Sequence, residues 1–366
     1  MQKIVLVPDA MPGALSAARV CDVLGEAFAH FFPEAELVRL PLGSASVLQA
    51  SAGEPRIVRV QGPAGNEMRA AYTVLPDRRT AIVDAAACAG AGVGRAAGVL
   101  PGRATSYGVG QMILDALQTG CREILLCLSA GAGADGGTGC AAALGVRFLD
   151  ASGRSFVPVG DTLKSIAHID LLGRAPVLAG ARLRILAGSQ APLCGPQGPA
   201  WTLGLPARDA ANLDEGLGHL AAVTENDLGI AMADHPGAGA AGGLGAGAMA
   251  YLGGELCPGV EPLLDLAGFD AMLEGASLVV TAAGRLDAAS ALGSAVSSVA
   301  LRARQARVPV LAFGGVVADG AAELYGLGVT AMQAVNRAGL SPAAAAPRTA
   351  ADLRRAAEDA CRLMLL

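Results

Sequence analysis

Lysine is almost missing from this chain: of its 27 basic residues only Lys3 and Lys164 are lysines, and the rest are arginines. This matters wherever a phosphate would be held, because a compact ammonium and a planar guanidinium are not interchangeable there. Charge of either sign is scarce, at 16% of 366 residues, and aromatics make up 3%. With a net charge of −5 no concentrated basic patch is expected, which argues against a nucleic-acid or anionic-membrane partner. Closely spaced cysteine pairs are absent too. The eight cysteines (21, 88, 121, 127, 140, 194, 257 and 361) include no CxxC, and His30, His168, His219 and His235 are isolated from one another. A zinc site is therefore not expected, whereas reduced, buried thiols in a cytoplasmic protein are. Met1-Gln2-Lys3 runs straight into a strand-like IVLVPD with no cleavage site, so no signal peptide is expected.

What is present is apolar and small. Hydrophobic residues reach 53% and glycine numbers 50, an α/β composition whose core must be filled by Ala, Val, Leu and Ile. The length exceeds what one core comfortably supports, so two domains are expected. The uncharged run from Pro236 to Gly254 has about the length of a membrane span. Its Gly and Ala side chains gain little from lipid, however, and a Gly-rich loop leading into a buried helix accounts for it.

KIVLVPD (3–9), an amphipathic segment over 14–32 and AELVRL (35–40) read as β-α-β with a parallel sheet. From Arg56 the pattern alternates as an antiparallel hairpin does, turning at 63–66, and TAIVDAAA follows as a strand. Regular α/β alternation returns near the end: a helix near 261–274, SLVVTA, a helix over 290–305, VPVLAFGG, VTAMQAV and a final helix from Thr349. The economical arrangement is a discontinuous Rossmann-like domain of residues 1–55 and 275–366, interrupted by an inserted mixed α/β domain of residues 56–274. A small-molecule ligand is expected in the cleft between them.

Four constellations can carry chemistry. Gly131-Ala-Gly-Ala-Asp-Gly136 is a GxGxxG that follows a strand and opens a helix, the setting in which backbone amides meet a phosphate. Asp135 within it suits a metal-bound oxygen or a hydroxyl proton, or else caps a tight turn. Gly237-Ala-Gly239-Ala-Ala-Gly242, continuing through Gly243, lacks a preceding strand, so close backbone packing competes with anion contact. Thr105 and Ser106 precede a helix, where they cap it or meet a carboxylate. Arg285 and Asp287 form a structural ion pair or an anion-binding arginine held by its carboxylate.

Taken in order, these pieces resemble the bacterial glycerate kinase family. PDAMPGALSA (8–17) is similar to its PDSFKGSLSA, TSYGVGQMI (105–113) to its TTYGTGELI, and AGADGGTG (132–139) to its ATNDGGAG. PGAGAAGGLGAG (236–247) and GRLDAAS (284–290) look like the family's strings almost letter for letter. The resemblance implies the two-domain fold and ATP-dependent, Mg2+-assisted phosphorylation of glycerate, which relies on positive charge around the phosphoryl oxygens and carboxylates for the metal.

The departures concentrate on those groups. Pro12 stands where the family has Lys, and Ser44 to Gln49, Val47 among them, where it has an acidic DGGEGT-like loop. Ala134 replaces Asn, and Gly188-Ser189-Gln190-Ala191-Pro192 replaces Asp-Val-Asp-Asn-Pro. Ala207, Ala283 and Ser294 take the places of Lys, Glu and Lys. What remains is Asp9, Ser16, Thr105, Ser106, Asp135 to Gly137, Arg285, Asp287 and the glycine framework.

Three functional readings follow. One is a family member whose kinase activity is lost or changed, a pseudoenzyme subunit or a recruited enzyme; a homo-oligomer or a complex with another enzyme is compatible with it. Another is a working kinase on glycerate or a related small hydroxy acid, using ATP and Mg2+. In that reading Asp135, Asp287 and Arg285 are catalytic, and Asp9, Ser16, Thr105, Ser106, Gly136, Gly137, Gly239, Gly242 and Gly243 bind substrate or nucleotide. No residue is assigned as a metal ligand. The third is a dinucleotide-dependent enzyme using the Gly131 to Gly136 turn, with Asp150 on a ribose.

Overall fold

The structure is a computed structural model, and it describes residues 2–11, 14–42, 53–128, 131–258, 260–336, 339–340 and 342–365. Pro12 and Ser44 to Gln49, where departures from the family pattern were noted, lie outside the described residues. The strands in the first half are β1 (Lys3–Leu6), β2 (Glu36–Arg39), β3 (Glu54–Gln61), β4 (Glu67–Val74), β5 (Thr80–Asp84), β6 (Glu123–Leu128) and β7 (Arg147–Leu149). They are followed by β8 (Ser155–Phe156), β9 (His168–Asp170), β10 (Arg182–Ala187), β11 (Glu255–Pro258), β12 (Leu278–Leu286), β13 (Val310–Val317) and β14 (Val329–Ala334). The main helices are α1 (Ala17–Phe31), α2 (Tyr107–Gln118), α3 (Thr138–Ala143), α4 (Ala207–Leu228), α5 (Ala240–Leu252), α6 (Ala295–Gln305) and α7 (Thr349–Met364).

The chain divides into two compact units, Met1–Ser51 with Gly259–Leu366, and Ala52–Pro258. In the first, five strands run parallel in the order β14-β13-β12-β1-β2. Alternate strand residues Ile4, Leu6, Val280, Leu311 and Phe313 share a cluster with Val20, Leu24 and Phe28 of α1 and Leu353, Ala356 and Ala357 of α7. Helix α6 packs on β12 and β13 but adds none of its buried Val299, Ala300 or Ala303 to that cluster, so it covers the other face. With both faces covered, the strands are near-continuous apolar runs.

The segment 261–274, expected on the inserted side, belongs to this first unit. Arg302 of α6, its side chain only 14% exposed, pairs with Glu261, Asp265 and Asp270 and holds the segment in place. Gly268, at φ 65, breaks the expected single helix there into two short ones. The expected helix over 290–305 likewise begins only at Ala295, because Asp287 caps a 3-10 turn and Ser294 caps α6.

The second unit holds a six-stranded mixed sheet, β11-β10-β6-β5-β4-β3, in which only the β3-β4-β5 edge is antiparallel, and a three-stranded sheet β8-β7-β9. Helix α2 lies against β3, β4, β5 and α3. Gly110 permits the α2–α3 approach, since a Cβ there would stand 2.2 Å from the carbonyl oxygen of Cys140. The apolar run around 236–254 forms the buried α5, whose Tyr251 stacks edge-on to Phe148 at 5.4 Å and shares a 2.8 Å hydrogen bond with Thr224. No helix among the described residues is long and apolar enough to cross a membrane, and all eight cysteines are free.

Candidate functional site

In the first unit the chain leaves β1 toward β2 on one side, while β12, β13 and β14 continue on the other. The strand order therefore reverses between β1 and β12, and open parallel sheets bind ligands outside the carboxyl ends of such a pair. Asp9 follows β1 and Arg285 and Asp287 end β12, so the fold brings these three sequence-selected residues to that edge. Ser16 lies on the same β1–α1 connection, but it is exposed and its hydroxyl caps α1 by accepting from the Arg19 amide at 3.3 Å.

The groups at this edge differ in what they have left to offer. Arg285 donates through Nε to Asp287 Oδ2 at 2.6 Å, and its side chain stays 61% exposed. Burial pushes the Asp287 carboxyl up, but the hydrogen bonds from Arg285 and from Ser290 outweigh it and hold the carboxyl below its usual range. Ser294, at the family's lysine position, donates to the Ser290 carbonyl at 2.6 Å and accepts from the Ser297 amide at 3.2 Å, so its hydroxyl is committed to the helix start. Ala283 pairs with Gly314 on β13 and offers a methyl group where the family has a carboxylate.

Asp9 is under the opposite influence. Burial pushes its carboxyl up to about 6, against the lowering effect of the Ala10 amide, which donates to it at 2.6 Å. A carboxyl raised in the folded state favours folding while it is protonated, below about pH 4, and that contribution disappears as pH rises through about 6. Asp9→Asn keeps an acceptor for Ala10 and removes the charge. It is expected to stabilise the protein at pH 8 by about 2–3 kcal/mol, with the gain fading toward pH 4, as read by urea denaturation at both values.

In the second unit the glycine-rich turn after β6 folds around Asp135. This side chain is buried, 4% exposed, and Oδ2 accepts from the Ser106 amide at 2.7 Å, the Ser106 hydroxyl at 2.8 Å and the Gly139 amide at 3.3 Å. Oδ1 accepts from the Gly137 amide at 2.9 Å. Ser106 is fixed in this role by the Cys140 amide, which donates to its hydroxyl at 2.9 Å. Burial raises the Asp135 carboxyl and the donors from Ser106, Gly137 and Gly139 oppose it; the net direction is upward. Thr105 turns toward α2 by accepting from the Tyr107 amide at 3.2 Å.

The second glycine string packs directly onto this turn. Ala241, Gly242 and Gly243 take φ of 52, 73 and 89, so α5 is regular only beyond them. Gly136 donates to the Gly242 carbonyl at 3.0 Å, and a Cβ on Gly242 would stand 1.8 Å from the Gly133 carbonyl oxygen. A Cβ on Gly243 would stand 2.8 Å from the Cα of Gly136, and one on Gly239 2.2 Å from the carbonyl oxygen of Pro192. Backbone thus meets backbone at both strings. Between them remains a cavity of about 10 Å³, room for about one water, lined by Thr105, Ser106, Asp135, Ala241 and small neighbours.

Two consequences follow for phosphate chemistry. The amides of Gly136 and Gly137, which the sequence suggested for a ligand, are spent on Gly242 and Asp135, and that of Gly139 is likewise spent on Asp135. Asp150, the expected ribose partner, is engaged by Ser152 and Arg154 within its own exposed turn, so the dinucleotide arrangement lacks both of its requirements. Of the other altered positions, Ala134 is fully buried in the core, Ala207 begins α4 exposed, and Gly188 and Gln190 follow β10. Sequence reading missed Gly139 and Cys140. The Gly139 amide donates to Asp135, four residues before it, and the Cys140 amide to the Ser106 hydroxyl, 34 residues before it.

Comparison with known proteins agrees with the fold and the motif order. The family model described as the glycerate kinase family matches residues 4–365. A glycerate kinase of Halalkalibacterium halodurans is 34% identical over 342 residues, covering 90% of each chain. A glycerate 2-kinase of Escherichia coli K12 is 32% identical over 344 residues, 91% of this chain and 90% of the relative. A crystal structure from Salmonella typhimurium LT2 described as a glycerate kinase 2 superposes with a TM-score of 0.73 at 29% identity, covering 100% of this chain and 98% of the other. An α/β chain matched from end to end in this way, carrying the family's glycine strings in order, belongs to the glycerate kinase family.

Proposed function

We propose that this chain is a glycerate kinase family protein in which phosphoryl transfer is lost or residual, and whose preserved framework binds a small molecule without phosphorylating it. The observation that carries this reading is the internal use of the glycine-turn amides: Gly137 and Gly139 donate to Asp135, and Gly136 to Gly242. A phosphate cradle needs such amides open to the ligand.

The carboxylates fit a Mg2+–nucleotide poorly. Asp135 carries four hydrogen bonds, Asp287 is held by Arg285 and Ser290, and burial favours the protonated form of Asp9. Among the described residues no group of three His, Cys, Asp or Glu side chains is placed to hold a metal ion. Loss of one group that stabilises the transferring phosphoryl costs about 10²–10³ in rate, and several losses together leave little activity, though not additively.

The purified chain with Mg2+, ATP and glycerate is expected to form ADP at least about 10³-fold more slowly than the Escherichia coli glycerate 2-kinase under the same conditions. It is also expected to show no ATP-dependent rise in melting temperature. A rate within tenfold of that relative would instead establish a working kinase. That second reading is favoured by identities of 32–34% over about nine-tenths of relatives named glycerate kinase or glycerate 2-kinase.

A further inference from the structure

Among the described residues, Arg78, Ala241 and Arg307 are the residues other than glycine whose backbone lies in the left-handed region, at φ 54, 52 and 61. Arg78 stands in the turn between β4 and β5 and Arg307 just beyond the end of α6, and both are exposed. Ala241 is different. It sits inside the packed second glycine string, where the other positions of positive φ, at 237, 242 and 243, are all glycines. Glycine adopts this conformation without steric cost, whereas an L-residue is strained in it. Asparagine or aspartate can offset the strain by a local side-chain hydrogen bond, which a methyl group cannot make. Whatever Ala241 gives the fold beyond a glycine must therefore come from its methyl group. Restriction of the unfolded chain is one such effect, but Arg78 and Arg307 share it.

What sets Ala241 apart is its place in the lining of the cavity of about 10 Å³ beside Asp135. Ser106 and Asp135 are buried there, while Ala86, Ala89, Thr105, Gly131 and Ala241 are half-buried and form the rim. The two glycine strings meet closely at that rim: a Cβ on Gly131 would stand 2.9 Å from the carbonyl carbon and oxygen of Ala241. Beneath it the carboxylate holds the Ser106 amide and hydroxyl and the Gly137 and Gly139 amides. Such bonds are strongest where water is excluded, because water offers the carboxylate other donors and screens its charge. A cavity with room for about one water admits no bulk solvent.

We infer that Ala241 is a positioning residue whose methyl group plugs the rim of this cavity, keeps bulk water off Asp135 and so holds the four donors on the carboxylate. The inference goes beyond the proposed function and does not depend on it, since every readout is taken without ligand.

Hydrogen exchange of the full chain, read by mass spectrometry, tests it with Ala241→Gly, which relieves the backbone and removes only the methyl group. Peptides covering 104–108 and 135–141 contain the donors to Asp135 and the Cys140 amide that fixes Ser106. Their exchange is expected to accelerate about tenfold or more, while peptides from β10 and α4 keep the parent's rate and the melting temperature does not fall. Titration of the Asp135 carboxyl by carbon NMR should show its midpoint move down from the parent's. Burial is the largest influence raising that carboxyl, and entering water relieves it. Arg78→Gly relieves the same kind of strain outside the cavity lining and should change neither the two peptides nor the titration. Unchanged exchange in the two peptides, with Ala241→Gly differing from the parent only in melting temperature, overturns the inference. So does an Asp135 midpoint that stays where the parent has it. Faster exchange spread over the whole second unit overturns it as well, because that marks lost packing rather than an opened rim.

Discussion

Gly242→Ala is expected to abolish or severely impair folding of the second unit, lowering its unfolding free energy by about 4 kcal/mol or more. Two effects combine. At φ 73 an L-residue pays about 1–2 kcal/mol for the left-handed conformation. In addition, the new methyl group would stand 1.8 Å from the Gly133 carbonyl oxygen and 3.1 Å from the Cα of Ala134, both within the turn that holds Asp135. The neighbouring atoms are backbone, so they cannot rotate away as a side-chain end would. Gly180→Ala is the control, since Gly180 has a φ of 87 and open space within 4 Å of the added Cβ. It should cost only the conformational term of about 1–2 kcal/mol, and the difference in urea midpoints between the two variants isolates the clash. Equal destabilisation would show that the two glycine strings do not pack as described.

Asp135→Ala is expected to destabilise by about 3–5 kcal/mol, because the Ser106 amide and hydroxyl and the Gly137 and Gly139 amides all lose their acceptor in a buried place. Asp135→Asn keeps one oxygen, enough for the three donors at Oδ2, but sets an NH2 group against the Gly137 amide; a cost of about 1–3 kcal/mol is expected. The ranking matters for function. A carboxylate kept only for chemistry usually burdens the fold, so its removal stabilises. Destabilisation by both variants, read by denaturant unfolding, would mark Asp135 as the organising acceptor of the turn. A gain in stability would return it to the list of reactive groups.

Much of this protein is legible along the chain. The β-α-β opening, the 56–74 hairpin, the alternating final quarter and the order of the glycine strings follow from periodicity and local turn chemistry, which are short-range properties. The altered positions are equally plain as letters. Their meaning is not, because a serine in place of a lysine says nothing of itself. Only the structure makes Ser294 a helix cap with its hydroxyl committed at both ends, and Ala134 a buried core residue.

The sequence by itself determined the family, the α/β class, and the depletion of lysine and acidic groups at the family's polar positions. Tertiary structure decided who holds whom. It moved 261–274 to the first unit through Arg302, spent the glycine-turn amides on Asp135, and locked one glycine string against the other. The reason is physical: a hydrogen-bond donor or a guanidinium is available to a ligand only if nothing nearer in space takes it. Nearness across thirty or a hundred residues is set by packing, which leaves no periodic trace in the chain.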